Sequence, residues 1–227
     1  MKLPVDIPAV LSAAIDIEKA SSIPVSVNIL IDETASPDFQ VFVRAGFNSE
    51  SPNSRVMVSY FPTQAPDTLL ACDLTIIAAA KNDSVGALAQ AFRDQGTPVL
   101  VVAENGSYVL SQAEKTGYTL PEEDVVFVDD DEFNEKLKGA LADKIGKWIV
   151  SAVDADKKLA FSIAYPFVRR PLAHDAVSST ALQNAGIGVV VFVPGADMPL
   201  MTANQIKMIL QIAAAYGQPL GPERVLE

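Results

Sequence analysis

Short runs rich in β-branched and apolar residues recur through the first half of the chain, and helix signals separate them. Val25–Ile31 follows Pro24, and Arg55–Tyr60, Leu74–Ala79, Pro98–Ala103 and a short Val125–Val128 come after it. Runs of this length with few charges read as strands buried on both faces. Between the first two, Ser36–Pro37 opens a helix carrying Phe39, Val43 and Phe47, with Ser36 as N-cap and Pro37 at the first helical position. Asp83 is expected to cap a further helix through Phe92 that stops at Gly96. Ile7, Val10, Leu11, Ala14 and Ile17 place a leading helix over residues 7–20. Strands alternating with helices predict a three-layer, Rossmann-like α/β domain with a mostly parallel sheet, assigned to residues 1–132 with the leading helix included.

Past Asp131 the apolar period changes from strand-like to helical. Phe133, Leu137, Ala140, Leu141, Ile145, Trp148, Ile149 and Ala152 form one long stripe, which begins an all-α domain over residues 133–227. Helices are expected at Lys158–Ala164, stopped by Pro166, and at Leu172–Ala185, with Val189–Val193 either prolonging the latter or connecting onward. Residues 176–196 carry no charge, a length that reaches the roughly 20 residues of a membrane span. Ser178, Ser179, Thr180, Gln183, Asn184, Gly186, Gly188 and Pro194 interrupt it, so a buried helix pair or an apolar contact surface is the expected role.

Composition narrows the chemistry. With 49% apolar residues in 227, the chain can bury a substantial core. One cysteine, Cys72, excludes an intramolecular disulfide and a cysteine-cluster zinc site, and the single histidine, His174, leaves no His-based metal site or partnered triad. Cys72 reads as a small buried side chain, and His174 as a surface residue of a helix. Residues 1–135 hold 21 acidic and 7 basic side chains, and residues 136–227 hold 7 acidic and 10 basic. So acidic a first part repels phosphate backbones, which argues against nucleic acid as a partner. No basic-then-apolar leader precedes the first helix, which points to an intracellular chain.

The most specific pattern lies near the C-terminal end. Pro194, Gly195 and Pro199 bracket a turn around Asp197, and Thr202 with Gln205 has the form of a capping box that would start a helix. Ile206, Ile209, Leu210 and Ala213 continue at helical spacing to a stop at Gly217 and Pro219. The order Pro194-Gly195-Ala-Asp197-Met-Pro199, then Met201-Thr202, Gln205, Met208 and Ala215-Tyr216-Gly217, resembles the core signature of the YcjF-type domain of unknown function. The resemblance spans residues 155–222. It implies a bacterial, membrane-associated module that accompanies GTPase domains, and a cytoplasmic location peripheral to or anchored in the inner membrane. It also implies a longer natural chain, since that family continues past the Tyr-Gly with further helices and an apolar tail. The expected partners are a second copy or another protein, met through the C-terminal helices, with a membrane surface as a further candidate.

The first domain is similar in order to a GTPase domain. CDLTIIAAA, a helix and GTPVLVVAENG match the strand-helix-strand unit that ends in a guanine-recognition loop, and DVVFVDDDEF stands where the last strand gives way to the final helix. The motifs that carry nucleotide chemistry are missing. Where Gly-x-x-x-x-Gly-Lys-Ser/Thr should follow the first strand, the chain reads Asp32-Glu33-Thr34-Ala35-Ser36-Pro37-Asp38-Phe39, without the glycines or the lysine. Tyr60-Phe61-Pro62 replaces the Asp-x-x-Gly, and Glu104-Asn105-Gly106 stands in for Asn-Lys-x-Asp. Phe127-Val128-Asp129-Asp130-Asp131 resembles the acidic strand end of a receiver domain, but only helices follow where such a domain needs further strands, so the expected reading is a solvated loop whose Asp131 caps the next helix. Asp32 and Glu33 with Asp129 or Asp130 are the candidate cation ligands, because strand ends share one rim in open α/β sheets. No cofactor and no catalytic residue is assigned. The expected function is a non-catalytic adaptor that couples a degenerate GTPase-like domain to a helical module, with a divergent GTP-binding hydrolase as the alternative.

Overall fold

The computed structural model describes residues 7–49, 51–63, 71–127, 135–190, 198–218 and 220. In chain order the elements are α1 (Ile7–Ser21), β1 (Val25–Asp32), α2 (Pro37–Gly46), β2 (Ser54–Phe61), β3 (Leu74–Ala79), α3 (Val85–Arg93), β4 (Val99–Ala103), α4 (Gly106–Lys115), β5 (Val125–Phe127), α5 (Glu135–Ala152), α6 (Lys158–Ala164), α7 (Arg169–Val190) and α8 (Met198–Ala215). They fall into two compact units, one made of Pro24–Asp154 and the other of the described residues in Met1–Ile23 and Ala155–Glu227.

The first unit is a five-stranded, all-parallel sheet in the order β2-β1-β3-β4-β5. Every residue of β3 and β4 is buried, whichever face its side chain takes, so helices must cover both faces. Leu30, Ile77, Ala79, Val99, Val101 and Ala103 pack with Val85, Ala89 and Phe92 of α3 and Val109 and Ala113 of α4. The chain winds outward from the centre in two directions, toward β2 and toward β5. Right-handed crossovers therefore set α2 on one face and α3 and α4 on the other, giving the expected three layers. Phe39 and Val43 are the buried residues of α2, and α5 packs on β4 and β5.

Asp124, in the short 3-10 turn Glu122–Asp124 ahead of β5, joins two helices of this unit. Its Oδ2 pairs with Arg93 of α3 at 2.9 Å, and its Oδ1 accepts the indole N–H of Trp148 of α5 at 2.9 Å.

In the second unit α8 rests on α7, α1 and α6. Its interior holds Val10, Ala14, Ile17, Leu159, Phe161, Tyr165, Leu172, Leu210 and Ala215. Lys158 and Asp175 pair at 3.1 Å, and Asn204 of α8 donates to the buried Asn184 of α7 at 3.0 Å. Among the described residues no helix is long and apolar enough to cross a membrane.

Several boundaries differ from those expected, each for a local reason. The leading helix groups with the C-terminal helices, and α5 with the sheet; the amphipathic stripe of α1 fits α6 and α8. The N-cap of α3 is Ser84, without a side-chain cap bond; Asn82 instead accepts the Ser84 amide and hydroxyl, while Asp83 accepts from the Tyr108 hydroxyl. Helix α7 starts at Arg169 because Pro171 falls in its first turn, where no amide is required, and it runs on to Val190. Helix α8 starts at Met198 for the same reason, with Pro199 second, so Thr202 lies inside the helix and the expected capping box with Gln205 is not its start. Its end is as expected. Gly217 adopts φ 73°, and the amides of Gly217 and Gln218 return to the carbonyls of Ala214 and Ala213.

Candidate functional site

In open parallel sheets ligands bind beyond the C-terminal strand ends, where the winding direction reverses. Here that point lies between β1 and β3, and the loop leaving β1 for the start of α2 occupies it. A helix N-terminus offers free amides and a favourable field for an anion, so the fate of the loop's amides decides what the site can hold.

Each of them is taken by the chain itself. The Glu33 amide donates to the Phe61 carbonyl at 3.0 Å and the Ala35 amide to the Asp32 carbonyl at 3.1 Å. The Thr34 amide donates to Asp32 Oδ1 at 2.9 Å, and the Ser36 amide to Glu104 Oε2 at 3.0 Å. Pro37 has no amide to give. Ser36 caps the helix as expected, its Oγ accepting from the Phe39 amide at 3.4 Å.

Two carboxylates from distant parts of the chain organise this closure. Asp32, fully buried at the end of β1, also accepts from the Thr34 hydroxyl at 2.8 Å and, through Oδ2, from the Ala80 amide beyond β3 at 2.8 Å. The Thr34 hydroxyl in turn accepts from the Lys81 amide at 3.0 Å. Glu104, just past β4, reaches across to α2 while its own amide donates to the Ala79 carbonyl at 2.8 Å. The ends of β1, β3 and β4 are thereby tied together by acidic acceptors. An incoming phosphate would meet negative charge, and the amides of Glu33, Thr34, Ala35 and Ser36 already have acceptors.

The cation candidates separate. Asp32 turns inward to amides, whereas Glu33 is exposed and accepts from the Thr63 hydroxyl at 2.8 Å. Asp129 and Asp130 lie outside the described residues. The end of β5 at Phe127 is three strand spacings from β1, about 14 Å. Among the described residues no group of three or more His, Cys, Asp or Glu side chains is placed to hold a metal ion.

The stand-in for the guanine loop is a helix start. Asn105 is the N-cap of α4, its Oδ1 accepting from the Tyr108 amide at 2.9 Å, and Gly106 sits so close to Phe127 that a Cβ there would lie 2.4 Å from the ring. Cys72 is only partly buried, with its Sγ bonded to the Leu74 carbonyl at 3.2 Å, and His174 is exposed on α7 as expected. Sequence reading missed the roles of Glu104 and the Ala80 and Lys81 amides. The only signal for Glu104 was an acid at a strand end.

Of the C-terminal signature, Pro194, Gly195 and Asp197 lie outside the described residues. Pro199, Thr202, Gln205 and Met208 lie along α8, with Gln205 exposed, and Tyr216 and Gly217 end it. The residues that α8 buries are Leu210, Ala214 and Ala215; Ile209 is 58% exposed. The expected contact face of Ile206, Ile209, Leu210 and Ala213 is therefore divided between interior and surface.

Compared with protein-family models, with curated proteins and with solved structures, the chain matches none.

Proposed function

We propose that this protein is a non-catalytic adaptor, in which a GTPase-like α/β unit without phosphate-binding capacity is coupled to a helical unit of YcjF type that mediates self-association or contact at a membrane surface. The observation that carries the reading is the loop after β1, whose amides are occupied by Asp32, Glu104 and backbone carbonyls instead of standing open. Bound carboxylates take the place of a phosphate at the head of α2, and the Asp32–Phe39 stretch itself holds neither glycine nor lysine. The exposed Leu182, Met198, Leu200 and Ile209 of α7 and α8 support the second half of the reading, since they give the helical unit apolar surface to share.

Isothermal titration calorimetry with GTP, GDP and ATP in the presence of magnesium tests it. No binding heat is expected. Micromolar affinity for any of the three would sink the adaptor reading in favour of a divergent GTP-binding hydrolase.

A further inference from the structure

Strand β2 is an edge of the described sheet. Strand β2 pairs with β1 on one side, and among the described residues no strand pairs with the other. The carbonyls of Asn53 and Phe61 receive the amides of Val25 and Glu33, which fixes the alternation along the strand. Odd-numbered residues turn their backbone groups toward β1, so the N–H and C=O of Val56, Val58 and Tyr60 face outward.

The same edge is apolar where natural edges are usually guarded. Val58 is 42% exposed and Val41 of α2 is 63% exposed. A groove of about 480 Å³ runs between α2 and β2, lined by Val41, Arg44, Ala45, Phe47, Val56 and Val58, with Asn48 beside them. Among the described lining residues the one charged is Arg44, whose guanidinium donates to the Tyr60 hydroxyl at 3.2 Å. No carboxylate is among the described lining residues, although the chain carries a net charge of −11.

We infer that the β2 edge takes up an extended segment of a partner protein as a sixth strand, with apolar side chains seated in the α2–β2 groove and a carboxylate facing Arg44. Backbone pairing to Val56, Val58 and Tyr60 supplies the affinity, and the groove reads alternate side chains of the added strand. A second copy of β2 fits less well. It reads Ser-Arg-Val-Met-Val-Ser-Tyr-Phe and brings Arg55 but no acid to the seam. The inference rests on the sheet edge alone and is independent of whether the strand-end rim binds nucleotide.

A phage-displayed library of random peptides, panned on the full chain, is the test. Expected is enrichment of sequences alternating apolar with acidic residues, binding at least tenfold more weakly to Val58→Pro and to Arg44→Glu. Proline at Val58 removes an outward N–H and leaves the β1 ladder intact, and circular dichroism checks that each variant is folded. Should Val58→Pro unfold, Val58→Lys at the same edge carries the comparison. Absence of enrichment, undiminished binding to the folded edge variants, or enrichment of peptides with helical apolar spacing would overturn the inference. So would a wild-type dimer in sedimentation that Val58→Pro abolishes, because the edge would then be occupied by a second copy.

Discussion

Glu104 Oε2 accepts the Ser36 amide at 3.0 Å across 68 positions of sequence. A residue at the end of one strand thus neutralises the head of a helix that belongs to another crossover. The arrangement uses the positive end of α2 for an internal carboxylate, which is the same physical interaction that phosphate-binding loops direct at a ligand.

Removing that carboxylate should loosen the loop. Glu104→Ala leaves the partly buried Ser36 amide without its charge-assisted acceptor and is expected to lower stability by about 2 kcal/mol. Glu104→Gln retains an acceptor oxygen and should lose about half as much. Urea denaturation followed by circular dichroism measures both. Equal stability of Glu104→Ala and the parent would show that the contact does not hold the loop.

Asp32 is more deeply committed, since it is fully buried and serves Thr34 and Ala80 together. Asp32→Ala strands the Ala80 and Thr34 amides, and a loss of about 3 kcal/mol or more is expected. Asp32→Asn should fall between, because one of its two terminal atoms becomes a donor facing donors. A substitution series that ran in the opposite order would contradict the network.

How much of this was legible in the sequence follows from the range of each interaction. Strands β1, β3 and β4 were visible because burial on both faces leaves long apolar runs that no surface element needs. Helix α4 was not, since Gly106, Ser107, Ser111 and Gln112 dilute its pattern and leave Val109, Leu110 and Ala113 to pack on the core. The missing phosphate-loop residues were plain at Asp32–Phe39. What filled their place depended on Glu104 and Ala80, which enter only when the strands are ordered. The Thr202–Gln205 pair shows the converse failure: a capping signature inside a helix carries no weight once Pro199 has supplied an earlier start.

The bonds of Asp124 to Arg93 and Trp148 make it a sensitive position. Asp124→Ala should lower stability by about 2 kcal/mol, mostly by leaving the buried indole N–H unpaired. Trp148 is the chain's one tryptophan, so its emission reports the Pro24–Asp154 unit directly. A shift of the unfolding midpoint seen by Trp148 fluorescence is expected. An unchanged midpoint would mean that the two bonds contribute nothing net.

Glycines in helices separate by what surrounds them. Gly139 lies exposed within α5 with nothing near its missing Cβ, so Gly139→Ala should stabilise by about 0.5 to 1 kcal/mol through helix propensity. At Gly106 the same change drives a methyl into the Phe127 ring, and the expected outcome is a loss of about 1 to 3 kcal/mol. Thermal unfolding of the two variants should therefore move in opposite directions. A gain at Gly106 would mean that Phe127 yields without penalty.

Adjacent residues of α8 test whether its surface is a contact. Leu210 is buried and Ile209 is 58% exposed. Leu210→Ala should destabilise the helical unit by about 2 to 4 kcal/mol, as deletion of a packed leucine does. Ile209→Glu touches no core, so its stability should stay within about 0.5 kcal/mol of the parent. If α8 mediates self-association, Ile209→Glu is expected to shift sedimentation velocity toward monomer at a concentration where the parent is oligomeric, with its melting curve unchanged. A parent that sediments as a strict monomer at high concentration, or an Ile209→Glu variant that assembles as the parent does, would remove α8 as the contact and leave the exposed Leu182 of α7 as the next position to charge.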